Sequence, residues 1–141
     1  SAAGYIVDGQ TTDAPIIGVL NGIFYNAATT LKPTFANFYT QVTPANSEDI
    51  DAFVFDSPTQ QYVVATDDAV TQAGFLETYD MNTSAGSDIT GKSSATLDIG
   101  DTSADAATFR LLRVAEDPEN EDITAARCSV VVVPNLIELQ S

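Results

Sequence analysis

Gly18-Val19-Leu20-Asn21-Gly22-Ile23-Phe24-Tyr25, the turn Asn26 to Lys32, and Pro33-Thr34-Phe35-Ala36-Asn37-Phe38-Tyr39 form the stretch on which the fold reading turns. Ile16 to Tyr25 is apolar at odd and even positions alike, a strand apolar on both faces, which points to a central strand rather than an edge. Asn26 to Lys32 is polar and turn-like, and Thr34 to Tyr39 brings an aromatic strand back beside the first. This is the core hairpin of a β domain. Gly18 and Gly22 sit inside the first strand, where a glycine marks a bulge or a close backbone approach.

Outward from the hairpin, short strands and turns alternate. Thr40 to Glu48 is a loop around Pro44. Asp49 to Phe55 alternates, with Ile50, Ala52 and Val54 on one face and Asp49, Asp51, Phe53 and Phe55 on the other. Asp56-Ser57-Pro58-Thr59 is a turn, and Gln60 to Thr66 returns as a strand, which predicts a second hairpin. Asp67 to Gln72 starts with a capping aspartate and predicts one helical turn, stopped by Gly74. Phe75 to Met81 reads as a strand, Asn82 to Ser94 as a surface loop, Ala95 to Ile99 as a brief strand, and Gly100 to Ala106 as a polar connection or short helix. Phe109 to Val114 places Phe109, Leu111 and Arg113 on one face. After an acidic turn at Asp117 to Asp122, Arg127 to Val133 is a strand apolar on both faces. Leu136 to Leu139 is a short closing strand. No segment holds helical periodicity, and turn signals recur about every 8–15 residues, so the expected fold is all-β: a small β-barrel or β-sandwich of antiparallel strands with long polar loops and at most one or two short helices. The expected organisation is an extended N-terminal arm over residues 1–15 and one β domain over residues 16–141.

Length and composition agree with one globular domain. A chain of 141 residues buries about 65–70% of its unfolded surface. The opening Ser1-Ala2-Ala3-Gly4 has neither the basic nor the apolar region of an export signal, so the protein reads as made in the cytosol. Cys128, the single cysteine, excludes an internal disulfide and, in a valine-rich run, reads as an inert buried thiol. Five basic against twenty acidic residues give a formal net charge of −15, which disfavours nucleic-acid and anionic-membrane partners. The same charge suits solubility at high copy number and either a basic partner or a salty medium.

The missing histidine removes histidine-based triads, proton relays and zinc sites. No phosphate-binding or dinucleotide glycine loop occurs. Carboxylates remain. Glu116 to Asp122 has oxygen donors for calcium but lacks the loop register such sites use, and Asp98, Asp101 and Asp105 share a spacing that suits a solvated face. The chain reads as a protein with no catalytic, cofactor-binding or metal residues. The aromatic set Phe24, Tyr25, Phe35, Phe38, Tyr39, Phe53, Phe55 and Tyr62 comes from strands expected to be neighbours and reads as a shared core. Tyr25, Phe38 and Tyr39 fall near strand ends, where they also suit interface anchors. With Tyr5 and Ile6 of the arm they are the expected partner interface.

Taken in order, Gly18-Val19-Leu20-Asn21-Gly22-Ile23-Phe24-Tyr25, Lys32-Pro33-Thr34-Phe35-Ala36-Asn37-Phe38-Tyr39, Ile50-Asp51-Ala52-Phe53-Val54-Phe55-Asp56-Ser57-Pro58, Thr90-Gly91-Lys92-Ser93 and Asn120-Glu121 resemble the capsid decoration (cement) proteins of marine tailed bacteriophages. The resemblance runs from about Ile17 to Val133. Ser57 stands where the family pattern has a second Asp, and Tyr62-Val63-Val64-Ala65 replaces its Phe-x-x-Gln strand. The resemblance implies a non-enzymatic virion protein, made in the host cytoplasm, on the outer surface of an icosahedral head. Its partner would be the major capsid protein, and it would form a homo-oligomer, trimer or dimer, at capsid symmetry axes. The arm Ser1 to Pro15 and the loops Thr40 to Glu48 and Asn82 to Ser94 would make the contacts. A tail, fibre or baseplate β domain is the alternative, and a secreted carbohydrate-binding β module the third reading.

Overall fold

The computed structural model describes residues 15–82, 84, 86–102, 107–118 and 122–135. Among them the chain is all-β, with eight strands and two single-turn 3-10 helices, Ala45–Ser47 and Gln72–Gly74. The strands are β1 (Val19–Asn26), β2 (Pro33–Ala36), β3 (Asp51–Phe55), β4 (Tyr62–Ala65), β5 (Thr78–Asn82), β6 (Thr96–Thr102), β7 (Phe109–Val114) and β8 (Ser129–Pro134). They build two antiparallel sheets, one ordered β2-β1-β3 and the other β4-β8-β7-β5-β6. The side chains of 101 and 102, the arm over residues 1–14, most of the expected connection at 103–106 and the expected strand Leu136 to Leu139 lie outside the described residues.

The five-stranded sheet holds the core. Tyr79, Leu97, Leu111, Val130 and Val132 are almost fully buried, joined by Val70, Phe109 and Cys128, with Ile16, Tyr62, Val64, Phe75, Met81 and Ile99 packed against them. Burying a large aliphatic or aromatic side chain contributes about 1.5–3 kcal/mol, so this cluster dominates the stability. At one end the outer strands meet: Thr66 and Leu97 form an isolated parallel bridge, Asp67 N–H donates to the Leu97 carbonyl at 3.1 Å, and Ile99 N–H donates to Asp67 Oδ1 at 3.0 Å. Among the described residues neither sheet closes into a barrel. The Thr66 hydroxyl sits 3.3 Å from the Cys128 carbonyl and 3.6 Å from its Sγ, which places the single thiol in the packed interior as expected. Asp80, also buried, accepts from the Thr108 N–H at 3.0 Å and the Thr108 hydroxyl at 2.9 Å, the satisfaction a buried carboxylate requires.

Several expectations are corrected. The hairpin expected from Asp49–Phe55 and Gln60–Thr66 does not form: β3 pairs with β1, and β4 pairs with β8 in the other sheet. The turn between them closes with Gln60 N–H on the Ser57 carbonyl at 3.2 Å but lacks the Asn-Gly or Asp-Gly pair that locks two strands in register. The valines of β4 find the valines of β8 instead, Val63 opposite Val131 and Val64 opposite Val130. Phe109, Leu111 and Arg113 do not share a face, because a bulge shifts the register between Leu111 and Arg113 and turns the arginine outward, 3.3 Å from Glu116. The helical turn expected at Asp67 to Gln72 is a 3-10 turn displaced to Gln72–Gly74. The strand expected to end at Ile99 continues to Thr102.

β1 is central in its sheet, as its apolar run implied, and the register shifts between Leu20 and Gly22. The expected bulge is therefore present. A Cβ on Gly22 would come within 2.6 Å of the Phe35 Cζ and 2.9 Å of the Ala36 carbonyl, and one on Gly18 would strike the Phe55 carbonyl. Both glycines mark close backbone approaches.

Candidate functional site

The three-stranded sheet has one covered face and one open face. Ile23, nearly fully buried, sits opposite Ala36 on β2 and Ala52 on β3. Gly22 and Phe24 point the other way, because side chains alternate along a strand. Gly22 is opposite Phe53, and Phe24 is opposite Phe35 on one side and Asp51 on the other. Beyond the bulge, Val19 faces Phe55. The open face therefore gathers Phe24, Phe35, Phe53 and Phe55 around Gly22.

These four rings are 39%, 60%, 48% and 48% exposed. Phe35 lies over Gly22, and its ring centroid is 6.2 Å from that of Phe53 at an interplanar angle of 45°. At about 200 Å² per phenylalanine, the rings leave about 400 Å² in water, the size of the largest apolar patch on a typical monomer. Covering it would yield about 10 kcal/mol from this side, against an association cost of about 4–15 kcal/mol. One such face makes a weak contact by itself. Several made together make a firm one.

Carboxylates bracket the face. Asp51 begins β3, Asp56 follows its last residue, and Glu48 and Asp49 precede it, all exposed. Glu48 Oε2 accepts from the Asn26 side-chain amide at 3.0 Å, which holds it at the end of β1. Lys32, in the β1–β2 turn, is the cation of this sheet among the described residues. In that turn Leu31 adopts φ 54° while 73% exposed. A left-handed, solvent-exposed leucine carries both a backbone and a hydration cost.

The expected interface residues that the structure describes are Tyr25, Phe38 and Tyr39. Tyr5 and Ile6 lie outside the described residues. Tyr25, opposite Thr34, is half-buried on the covered side of the sheet. Phe38, half-buried, packs on Gly91, whose φ of 68° and missing Cβ make room for the ring. Tyr39 is exposed just past β2. The reading of Phe24, Phe35, Tyr39, Phe53 and Phe55 as core is corrected, since all five are exposed. One signal was present: the alternation that puts Phe53 and Phe55 on one face puts Asp49 and Asp51 there too, and carboxylates mark a wetted face.

Tyr62 joins the two sheets. Its ring meets Phe109 edge-on at 6.3 Å and 83°, while its hydroxyl donates to the Phe55 carbonyl at 3.1 Å. Burial, and then the Asp56 charge, push the Tyr62 pKa up. Tyr79, which donates to the Gly74 carbonyl at 3.0 Å, is pushed up by burial and then by Glu77. In the acidic turn, the Thr124 hydroxyl and then its N–H lower the Asp122 pKa. Among the described residues no group of three or more cysteine or carboxylate side chains is placed to hold a metal ion.

Comparison with protein-family models, curated proteins and solved structures returns no match.

Proposed function

We propose that the chain is a structural virion protein that binds the outer surface of an icosahedral phage head and stabilises it by bridging neighbouring major capsid subunits. The observation that carries this reading is the open aromatic face of the three-stranded sheet, an apolar surface suited to a protein partner. The resemblance of Gly18–Tyr25, Lys32–Tyr39 and Ile50–Pro58 to phage decoration proteins supports the choice of partner. The net charge of −15 keeps separate copies soluble before they meet the shell. Attachment as a trimer or dimer at a symmetry axis multiplies a contact that is weak when made once.

The test is to assemble heads with and without the protein and follow their rupture on heating. Heads lacking it should rupture at lower temperature, and the chain should be found in isolated heads. Equal heat stability, or the chain in isolated tails, would contradict the proposal.

A further inference from the structure

From the open face and its rim, we infer that the β2-β1-β3 sheet docks a protein surface that is aliphatic at its centre and cationic at its edge. This names the partner chemistry of the interaction face proposed above, and it does not require that partner to be a capsid. The centre follows from Phe24, Phe35, Phe53 and Phe55, apolar rings exposed together on one face of the sheet. The edge follows from Asp51, opposite Phe24 on the face, and from the exposed Glu48, Asp49 and Asp56 flanking β3 along the chain, with Lys32 as the sheet's cation among the described residues. Lysine or arginine on the partner would lie against those carboxylates, and against the negative ring faces by cation–π attraction. Leu31, at the tip of the hairpin that carries Phe24 and Phe35, adds an independent sign of contact. A left-handed position there would be relieved by glycine or asparagine, yet it holds an exposed leucine.

A second copy of the chain is the poorer occupant. It would bring the same carboxylates against their equivalents, and like charges brought together across an interface oppose association. Salt separates the two cases by sign. Docking onto a cationic rim weakens as salt screens the attraction, whereas self-association of acidic faces strengthens as salt screens the repulsion.

The experiment uses the full chain and two short amphipathic helical peptides as probes, one of leucine and lysine and one of leucine and glutamate. Calorimetric titrations are run at about 0.05 M and about 0.5 M salt. The lysine peptide should bind, more weakly at the higher salt, and the glutamate peptide should not. Phe35→Ser with Phe53→Ser should weaken the lysine peptide about tenfold without changing the net charge. Val63→Ser, an exposed valine on the other sheet, should leave binding unchanged. Asp51→Asn with Asp56→Asn should flatten the salt dependence, and this pair keeps the inference testable if the phenylalanine variant fails to fold. Equal binding of both peptides, or undiminished binding by a folded phenylalanine variant, would overturn it. Sedimentation showing dimers that tighten with salt would assign the face to a second copy instead. Tighter peptide binding by Tyr5→Ser with Ile6→Ser would mean that the chain's own arm occupies the face, and would overturn it too.

Discussion

At the scale of the residue, Gly22 determines the shape of the open face. Its missing Cβ lets the Phe35 ring lie across β1 and keeps the Ala36 carbonyl close. Gly22→Val should cost about 2 kcal/mol, because an added side chain must displace the ring and push backbone as well. Urea unfolding measures it; an unchanged midpoint would show that the sheet absorbs the change. Tyr62 gives a second prediction, with a defined sign. Its pKa is raised in the folded state from the ordinary 10.0, so its contribution is fully present below about pH 10 and is lost as pH rises through the folded value. The wild type should lose stability on alkaline titration, and Tyr62→Phe should lose less over that range, as read by urea midpoints at successive pH values. Gly22 was legible in the sequence, because a glycine inside an apolar strand weakens it unless a bulge or a close neighbour needs the space. The roles of Phe35 and Phe38 were not. Alternation assigns each side chain to a face but does not say which face another element will cover. Both read as core, and Phe38 also as an interface anchor, although Phe38 packs on Gly91 and Phe35 lies over Gly22 with most of its surface in water.

At the scale of the element, the strands were legible and their pairing was not. β7 carries the bounds expected from its residues, and β1, β3, β4, β5 and β8 overlap their expected spans, because β-branched and aromatic runs between turn signals declare themselves locally. Pairing is a non-local property. β3 and β4 adjoin in sequence, but their partners lie before and far after them, β1 and β8. The bulge in β7 was equally hidden, since one extra residue looks like unbroken alternation until the partner's register is known. The two sheets should also differ in local stability. β8 is buried on both faces between β4 and β7, whereas β2 is a four-residue edge strand with one open face. Native-state hydrogen exchange should find the amides of Val130 to Val132 slowest and those of β2 fastest, with β1 between them. Exchange of β2 as slow as β8 would mean that the open face is covered in solution.

At the scale of the whole molecule, an all-β fold was expected and is what the chain forms, but its division into a core-bearing sheet and an exposed aromatic sheet was not foreseen. That division organises the proposed function. The five-stranded sheet supplies stability, and Tyr62 ties it to the smaller sheet. In the proposed function the smaller sheet presents its apolar surface to a partner, and the acidic rim disfavours pairing of this one face with its own copy. The decisive measurement is binding of the wild type and of the Phe35→Ser, Phe53→Ser double variant to phage heads assembled without the protein. The account predicts saturable binding by the wild type and at least about tenfold weaker binding by the folded variant. Equal binding by the two proteins would contradict it.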